Sequence, residues 1–434
     1  MLAFSLERSA TLANGEYVLA FAGDPRSNQL AVAGSSCSIS LYDRLTLQRV
    51  RSCGELDGLR KLKPAHDDRI NELAFAPSHA DAAASQLWSC ASDATVRAWD
   101  PAVGGKAVSS YTTREHGEAW SVAVDGHLVA AGAGCAVLVW DVRRGGRPMR
   151  TYEVHTEAVT QVRFKPGAGA AAEKPTLLSA SVDGLLCALD LSEEDEEEAV
   201  GEVHNTEAPI SSFGFYGGGG AEWGSLAYVV SSLETLSLWD LSQGDCVHAL
   251  SNIKRPQPDG EDGVTDRVAA PAWPLPAGLS PQVDFVVGCA WDEARRRLVL
   301  LGGEPDGACS LFEVHTETGA LARVAAMPGA GAAGCGGPIG GGGGGGGHRE
   351  PVRCLSWGGW LTAHRDHGLH SISARLTGDG GRFPGTFPAG ALLPLGGRLA
   401  GHRRRGRLDP RLGRAERRAH RRCGALIARA QRSG

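Results

Sequence analysis

No run in this 434-residue chain approaches the ~18 consecutive apolar residues of a membrane helix, so neither a span nor a membrane partner is expected. The opening MLAFSLERSATLANG has no basic start, and its apolar run breaks at Glu7 and Arg8; it is not read as a secretory leader. The eleven cysteines include no CxxC pair. Cys90, Cys135, Cys187, Cys309 and Cys354 sit in apolar, strand-like runs, which fits buried free thiols in a reducing compartment better than disulfides or a metal site. The glycine run at 340–347 is not followed by a lysine and a hydroxyl residue, which excludes a phosphate-binding loop. With no nucleophile motif and no metal set either, no enzyme activity and no cofactor are expected. The protein is read as intracellular, in the nucleus, the cytoplasm or both, and as a monomer.

Glycine is abundant instead, with 60 residues beside 22 prolines, while 42% hydrophobic and 21% charged residues are globular values. The net charge of −5 hides a division: from Arg398 onward 13 arginines face only Asp409 and Glu416, a tail of +11 on a body of −16. Six segments share one ending: AVAGSSCSISLYD (31–43), LWSCASDATVRAWD (87–100), LVAAGAGCAVLVWD (128–141), LLSASVDGLLCALD (177–190), YVVSSLETLSLWD (228–240) and VLLGGEPDGACSLFEV (299–314). Each reads as an apolar strand, a tight turn and an alternating strand that closes on an aromatic or leucine beside an acid. Alternating runs preceded by a histidine begin at His66, His116, His155 and His204. A spacing of six recurs in Asp93–Trp99, Gly134–Trp140, Asp183–Leu189, Leu233–Trp239 and Asp306–Phe312. The fold class is therefore all-β, built from repeated small sheets.

This pattern resembles the WD-repeat β-propeller family. The resemblance implies that in each four-stranded blade a histidine before the innermost strand, a turn aspartate and a strand tryptophan form a buried hydrogen-bonded set. Such a set leaves no polar group between the strands without a partner. The matching residues are His66, Asp93 and Trp99; His116 and Trp140; His155 and Asp183; and His204 and Trp239. Gly134, Leu189 and Leu233 depart from the pattern. Because the constellation recurs, a catalytic reading of His66, Asp93 and a neighbouring serine is rejected. HTEAVTQVRFKP (155–166), VDFVVGCAWDEARRRLVLLGG (283–303) and EPVRCLSWGG (350–359) further resemble the WD repeat-containing protein 89 family, over about residues 10–374. That family implies a non-enzymatic interaction propeller.

Seven blades are expected within residues 1–375, the last degenerate. It begins at His348, takes Asp366 as its turn residue and Ile372 in place of a tryptophan, and borrows LAFSLER (2–8) as its outer strand. His364, His367 and His370 on a strand–turn–strand would not converge on a metal. The inserts 251–282 and 328–347 read as flexible. Residues 376–434 form a basic tail outside the fold, either a disordered arm, an import signal, or an end translated from a wrong frame or splice. Nucleic acid is suggested only by this tail.

Expected partners are proteins, basic peptides among them. Acids recur two residues after each histidine, at Asp68, Glu118, Glu157 and Glu350, with Glu207 one residue further, around the top of a propeller channel. Arg69, Trp120 and Arg353 would be anchors beside them. These acids would otherwise serve their own tight loops. SEEDEEEAV (192–200) lies in a bottom turn. Trp140-Asp141-Val142-Arg143 resembles the WDxR box with which some propellers dock on the adaptor of cullin-four ubiquitin ligases, with Trp140, Asp141 and Arg143 as the contact residues; Gly134 departs from that box. A ligase substrate receptor, or a nuclear RNA or ribosome-assembly factor using the tail, are the alternatives to a general scaffold.

Overall fold

The computed structural model describes residues 8–11, 16, 18–24, 27–54, 64–77, 86–103, 105–166, 175–217, 224–251, 253, 283–293, 295–303, 309–327, 352–356, 361–366 and 369–374, with side chains between 16 and 324. The tail 376–434, the insert 328–347, nearly all of 251–282, His348, Glu350 and the side chain of Arg353 lie outside the described residues.

After β1 (Arg8–Thr11), six four-stranded antiparallel sheets follow in chain order as the blades of a β-propeller. Blade one is β2 (Val18–Gly23), β3 (Gln29–Gly34), β4 (Ile39–Asp43) and β5 (Arg49–Cys53). Blade two is β6 (Ile70–Phe75), β7 (Leu87–Ala91), β8 (Thr95–Trp99) and β9 (Ser109–Thr112). Blade three is β10 (Ala119–Asp125), β11 (Leu128–Ala133), β12 (Ala136–Asp141) and β13 (Arg150–Tyr152). Blade four is β14 (Val159–Phe164), β15 (Thr176–Ser181), β16 (Leu185–Asp190) and β17 (Val200–Asn205). Blade five is β18 (Ile210–Tyr216), β19 (Leu226–Ser231), β20 (Leu236–Asp240) and β21 (Asp245–Leu250). Blade six is β22 (Phe285–Asp292), β23 (Arg297–Gly303), β24 (Cys309–His315) and β25 (Ala320–Met327). The first strands of successive blades lie side by side, β2 by β6, β6 by β10, and so on to β22, which makes them the innermost. A further sheet runs β26 (Val352–Ser356), β27 (Leu361–Asp366), β28 (Leu369–Ala374), β1, with Arg8 opposite Ala374 and Thr11 opposite Ser371. The described N-terminal strand is Arg8–Thr11; of the expected 2–8 it includes Arg8, and 2–7 lie outside the described residues.

The core lies between blades. One apolar cluster joins Ala33, Ile39 and Leu41 of blade one to Ile70, Leu73 and Trp99 of blade two. Equivalent clusters join blades two and three, three and four, four and five, and five and six. Since each sheet offers two faces to its neighbours, the strands carry long apolar runs, and alternation is weak where both faces are covered.

Two irregularities recur. Every inner strand of the six blades bulges near its start, at Val18/Ala20, Ile70/Glu72, Ala119/Ser121, Val159/Gln161, Ile210/Ser212 and Val286/Gly288. Outer strands bulge too. Leu41 pairs with Arg51 and Tyr42 with Arg49, which leaves Val50 as the extra residue; Leu238 pairs with His248 and Trp239 with Cys246, which leaves Val247. Both valines are exposed for that reason. A bulged edge flanked by arginines resists pairing with another chain. The upper part of β5 is covered as well, by a parallel bridge from Cys53 to Gly105 of the next blade.

Register corrects one repeat assignment. Val314 faces Leu298 at the level where Trp99 faces Leu87, so Phe312 is not the closing position of blade six. The strands there are longer, and a spacing of six counted from Asp306 falls two residues short.

Candidate functional site

Each blade has an upper end, where the second strand turns into the third and the outer strand leads to the next blade. In blade two the loop before β6 sends His66 down between the strands, where it is fully buried. Its Nδ1–H donates to Asp93 Oδ2 at 3.0 Å, and Ser89 donates to its Nε2 at 2.6 Å. Ser89 Oγ in turn accepts the indole N–H of Trp99 at 2.8 Å. The Asp93 carboxylate also takes the backbone N–H groups of Asp67 and Thr95, and so fixes both the loop and the turn. Burial alone would raise the Asp93 carboxyl, but the bonds from His66 and Thr95 outweigh it and hold it well below the usual carboxylate range. Burial lowers the His66 imidazole, only partly offset by Asp93, so the ring is neutral and bonds as a single tautomer.

Blade four repeats this with His155 at 3.1 Å from Asp183 and 2.8 Å from Ser179; Leu189 leaves the serine with no indole donor. Asp183 is held low in the same way, burial being outweighed by the His155 bond. Ser89 and Ser179 occupy equivalent places on the second strand and do not follow from the spacing of histidine, aspartate and tryptophan. Blade three has lost the set together. Ala131 stands where Ser89 would, Gly134 replaces the aspartate, His116 is only half-buried, and the Trp140 indole nitrogen is buried with no hydrogen-bond partner among the described residues.

His204 needs reassignment. It lies within β17 opposite Leu186, the place that Tyr111 and Tyr152 hold in blades two and three. Its ring packs on Trp239 of the next blade at 6.0 Å, as Tyr111 packs on Trp140 at 5.6 Å. The outer strand of blade four runs up to Asn205, so the histidine is taken into the sheet instead of the loop. Trp239 donates to Ser237, and the turn at Leu233 is held by Ser231, which accepts the N–H groups of Leu233 and Thr235.

Around the axis, in blades two, three and four, the residue after the inner bulge reaches the next blade. Glu72 accepts the Val122 N–H at 2.8 Å, Ser121 accepts the Val162 N–H at 3.0 Å, and Gln161 accepts the Phe213 N–H at 2.7 Å. Ser121 also donates to Glu72. Arg163 crosses in front of blade three to form a buried ion pair with Glu72, and donates to Ser121 and to the Val162 carbonyl as well. The equivalent inner-strand positions are Ala22, Ala74, Ala123, Gly214 and Ala290, which leaves space for one long side chain. At Gly214 a Cβ would lie 2.4 Å from the Tyr228 hydroxyl, so glycine is required there.

The upper loops carry Asp68, Glu118, Glu157 and Glu207, all exposed, with Arg69 and Trp120 half-buried beside them. Asp68 accepts the N–H of Arg69, and Glu207 takes a left-handed backbone at φ 60°. Glu350 and Arg353, the remaining members of that expected ring, lie outside the described side chains. At the opposite end, in blades one to five, the acid that closes the third strand caps the turn after it. Asp43, Asp100, Asp141, Asp190 and Asp240 each accept the N–H two residues on. Asp141 also takes both Arg143 Nε and Nη2, which holds its carboxyl down at about 2. Trp140 and Asp141 are buried, while the Arg143 side chain is 64% exposed.

Among the described residues no three His, Cys, Asp or Glu side chains could hold a metal ion, and no helix is long and apolar enough to cross a membrane. His364 and His370 lie on β27 and β28; their side chains and His367 are outside the description.

No family model matches the chain. Curated relatives do. The chain is 31% identical over 299 residues to the WD repeat-containing protein 89 homolog of Dictyostelium discoideum, which covers 69% of this chain and 70% of that protein. It is 30% identical over 313 residues to WD repeat-containing protein GTS1 of Arabidopsis thaliana, covering 70% and 68%. A shorter match, 29% identical over 128 residues, joins it to the uncharacterized WD repeat-containing protein YNL035C of Saccharomyces cerevisiae, covering 29% of this chain and 28% of that one. The repeated sheets, the His–Ser–Asp sets of blades two and four and the extent of these similarities give one conclusion: the chain belongs to the WD-repeat β-propeller family.

Proposed function

We propose that this protein is a non-enzymatic scaffold that holds a basic protein segment on the upper rim of its propeller. A general protein-interaction role is typical of WD-repeat propellers, and the fold is consistent with a non-catalytic scaffold. The observation that carries the finer reading is the set of exposed carboxylates at Asp68, Glu118, Glu157 and Glu207, which stand on the loops leading to four successive inner strands. Converging charge of one sign at a channel mouth raises the local concentration of an oppositely charged partner. Trp120, half-buried on the inner strand of blade three, offers an aromatic surface beside it.

In this reading the ring has seven blades, the last degenerate, and ends near residue 375. Support comes from the pairing of β1 with β28 and from the position of β26 beside both β22 and β2. The WD repeat-containing protein 89 group is the proposed subfamily. The ligase-receptor reading keeps one favourable observation, the exposed Arg143 oriented by Asp141. The RNA reading rests on the tail, outside the described residues.

Affinity capture from cell extract followed by mass spectrometry tests this. The wild type is expected to retain proteins through basic segments, and the Asp68→Asn, Glu118→Gln, Glu157→Gln, Glu207→Gln variant to lose them. Retention unchanged in that variant contradicts the proposal. Recovery of a ligase adaptor that is lost on Arg143→Ala would favour the receptor reading.

A further inference from the structure

We infer that the lower turns of blades one to three form a second docking surface, for an acidic protein segment carrying aliphatic side chains. The turns 43–49, 100–108 and 141–149 each join the third strand to the outer strand, so they share one end of the propeller, opposite the acidic rim. Blades one to three follow one another around the ring, so these turns are neighbours, and part of 100–108 climbs the side of β5, where Arg51 donates to the Pro101 carbonyl and Gly105 bridges Cys53.

The turns hold six cations and three acids. All three acids are occupied in capping their own turns: Asp43 accepts the N–H groups of Leu45 and Thr46, Asp100 those of Ala102 and Val103, and Asp141 is held by Arg143. Arg144 also lies 3.8 Å from Asp141, with its side chain exposed, and Arg49, Lys106 and Arg147 are exposed as well. Between them, aliphatic side chains face water: Leu45 is 59%, Val103 76% and Val108 62% exposed. These are three of the six large hydrophobic side chains that are exposed among the described residues. Nothing in the bulge geometry explains them, as it does Val50 and Val247.

Charge alone would also suit a nucleic acid. Two observations favour protein. The exposed large hydrophobics are leucine and valine only, with no aromatic ring for a base to stack on. The next lower turn, 190–198 in blade four, carries Asp190 and six further acids from Glu193 to Glu198; these would repel a long polyanion tracking around the face, whereas a short acidic segment confined to blades one to three does not reach them. Aliphatic contacts ringed by charge are instead the composition of a protein-binding patch. A scaffold with an acidic upper rim and this basic-aliphatic lower surface would bridge two partners of opposite charge.

The test uses the full chain and two fluorescein-labelled probes, a peptide of repeating Asp-Leu-Glu-Val and polyuridylate, in anisotropy titrations at physiological salt. Wild type should bind the peptide more tightly than the polyuridylate. The Lys106→Glu, Arg144→Glu, Arg147→Glu variant should lose about tenfold in peptide affinity, and Leu45→Ser with Val103→Ser about threefold. All five positions are at the surface, and circular dichroism checks that the variants fold. Glu118→Gln with Glu157→Gln on the upper rim should leave the peptide affinity unchanged, which separates this surface from the proposed one. Absence of peptide binding, peptide binding indifferent to the charge reversal, or tighter binding of polyuridylate would each overturn the inference.

Discussion

Ser89 connects two buried polar groups at once, the His66 imidazole and the Trp99 indole, whereas Ser179 serves His155 alone. Ser89→Ala should therefore cost about 2 kcal/mol and Ser179→Ala about half as much, measured by urea denaturation. The sequence spacing pointed to His66 and Asp93, which lie 3.0 Å apart, but said nothing of either serine. Serine is too common to stand out, and only the register shows which one faces the ring. His204 was misread because the length of an outer strand leaves little trace in the sequence. Acid sensitivity follows from the same residues. Burial lowers His66 and His204 below an ordinary imidazole, so on acidification the unfolded chain takes up protons first. Their contribution to stability is intact above pH ~6.5 and falls as the pH drops below it. Asp93 and Asp183, held below ordinary carboxylates, add a second loss below pH ~4. His204→Tyr, which supplies the residue found at Tyr111 and Tyr152, should flatten the first part of a melting-temperature profile and leave the second in place.

At the level of elements, the inner strands owe their alignment to more than their own sheets. Glu72, Ser121 and Gln161 each cap an N–H of the following blade, and the Arg163–Glu72 pair ties blades two, three and four together. Arg163→Met should cost about 3–5 kcal/mol, because it leaves a carboxylate buried without its cation; adding Glu72→Met should recover much of the loss. Chemical denaturation of the two single variants and the double variant measures this coupling, and additive losses would contradict it. The turns carry a smaller, opposite lever. Ala94 adopts φ 59° where Gly184 adopts φ 81°, so Ala94→Gly should stabilise the second blade by about 1 kcal/mol and Gly184→Ala destabilise the fourth by a similar amount. Strand existence and order could be read from the repeated apolar runs and turns. The bulges could not, since one inserted residue in a strand covered on both faces leaves no break in a hydrophobic pattern. Phe312 falls two residues short of Val314 for another reason, the longer second and third strands of blade six.

For the whole molecule, the six segments with a common ending correspond to six blades, the proline-rich insert falls between blades five and six and the glycine-rich one follows blade six, so the propeller could be read from the chain before any register was known. The place of Asp68, Glu118 and Glu157 on exposed upper loops could be read as well, from acids two residues after the loop histidines. The basic-aliphatic lower surface could not, because it depends on which acids are consumed in capping turns. If the ring closes through the N-terminal strand, Ser9 and Ser373 lie opposite one another. The Ser9→Cys, Ser373→Cys variant should then form a disulfide on mild oxidation and melt at a higher temperature, and deletion of 385–434 should leave the melt unchanged. Failure to cross-link, or a large loss of stability on the truncation, would contradict closure at that point. The central claim, recognition of a basic segment by the upper rim, is tested most directly by calorimetric titration of the full chain with an arginine- and lysine-rich peptide. The account predicts saturable binding that weakens with salt and falls at least about tenfold when Asp68, Glu118, Glu157 and Glu207 are replaced by their amides; equal affinity of the wild type and that variant would contradict it.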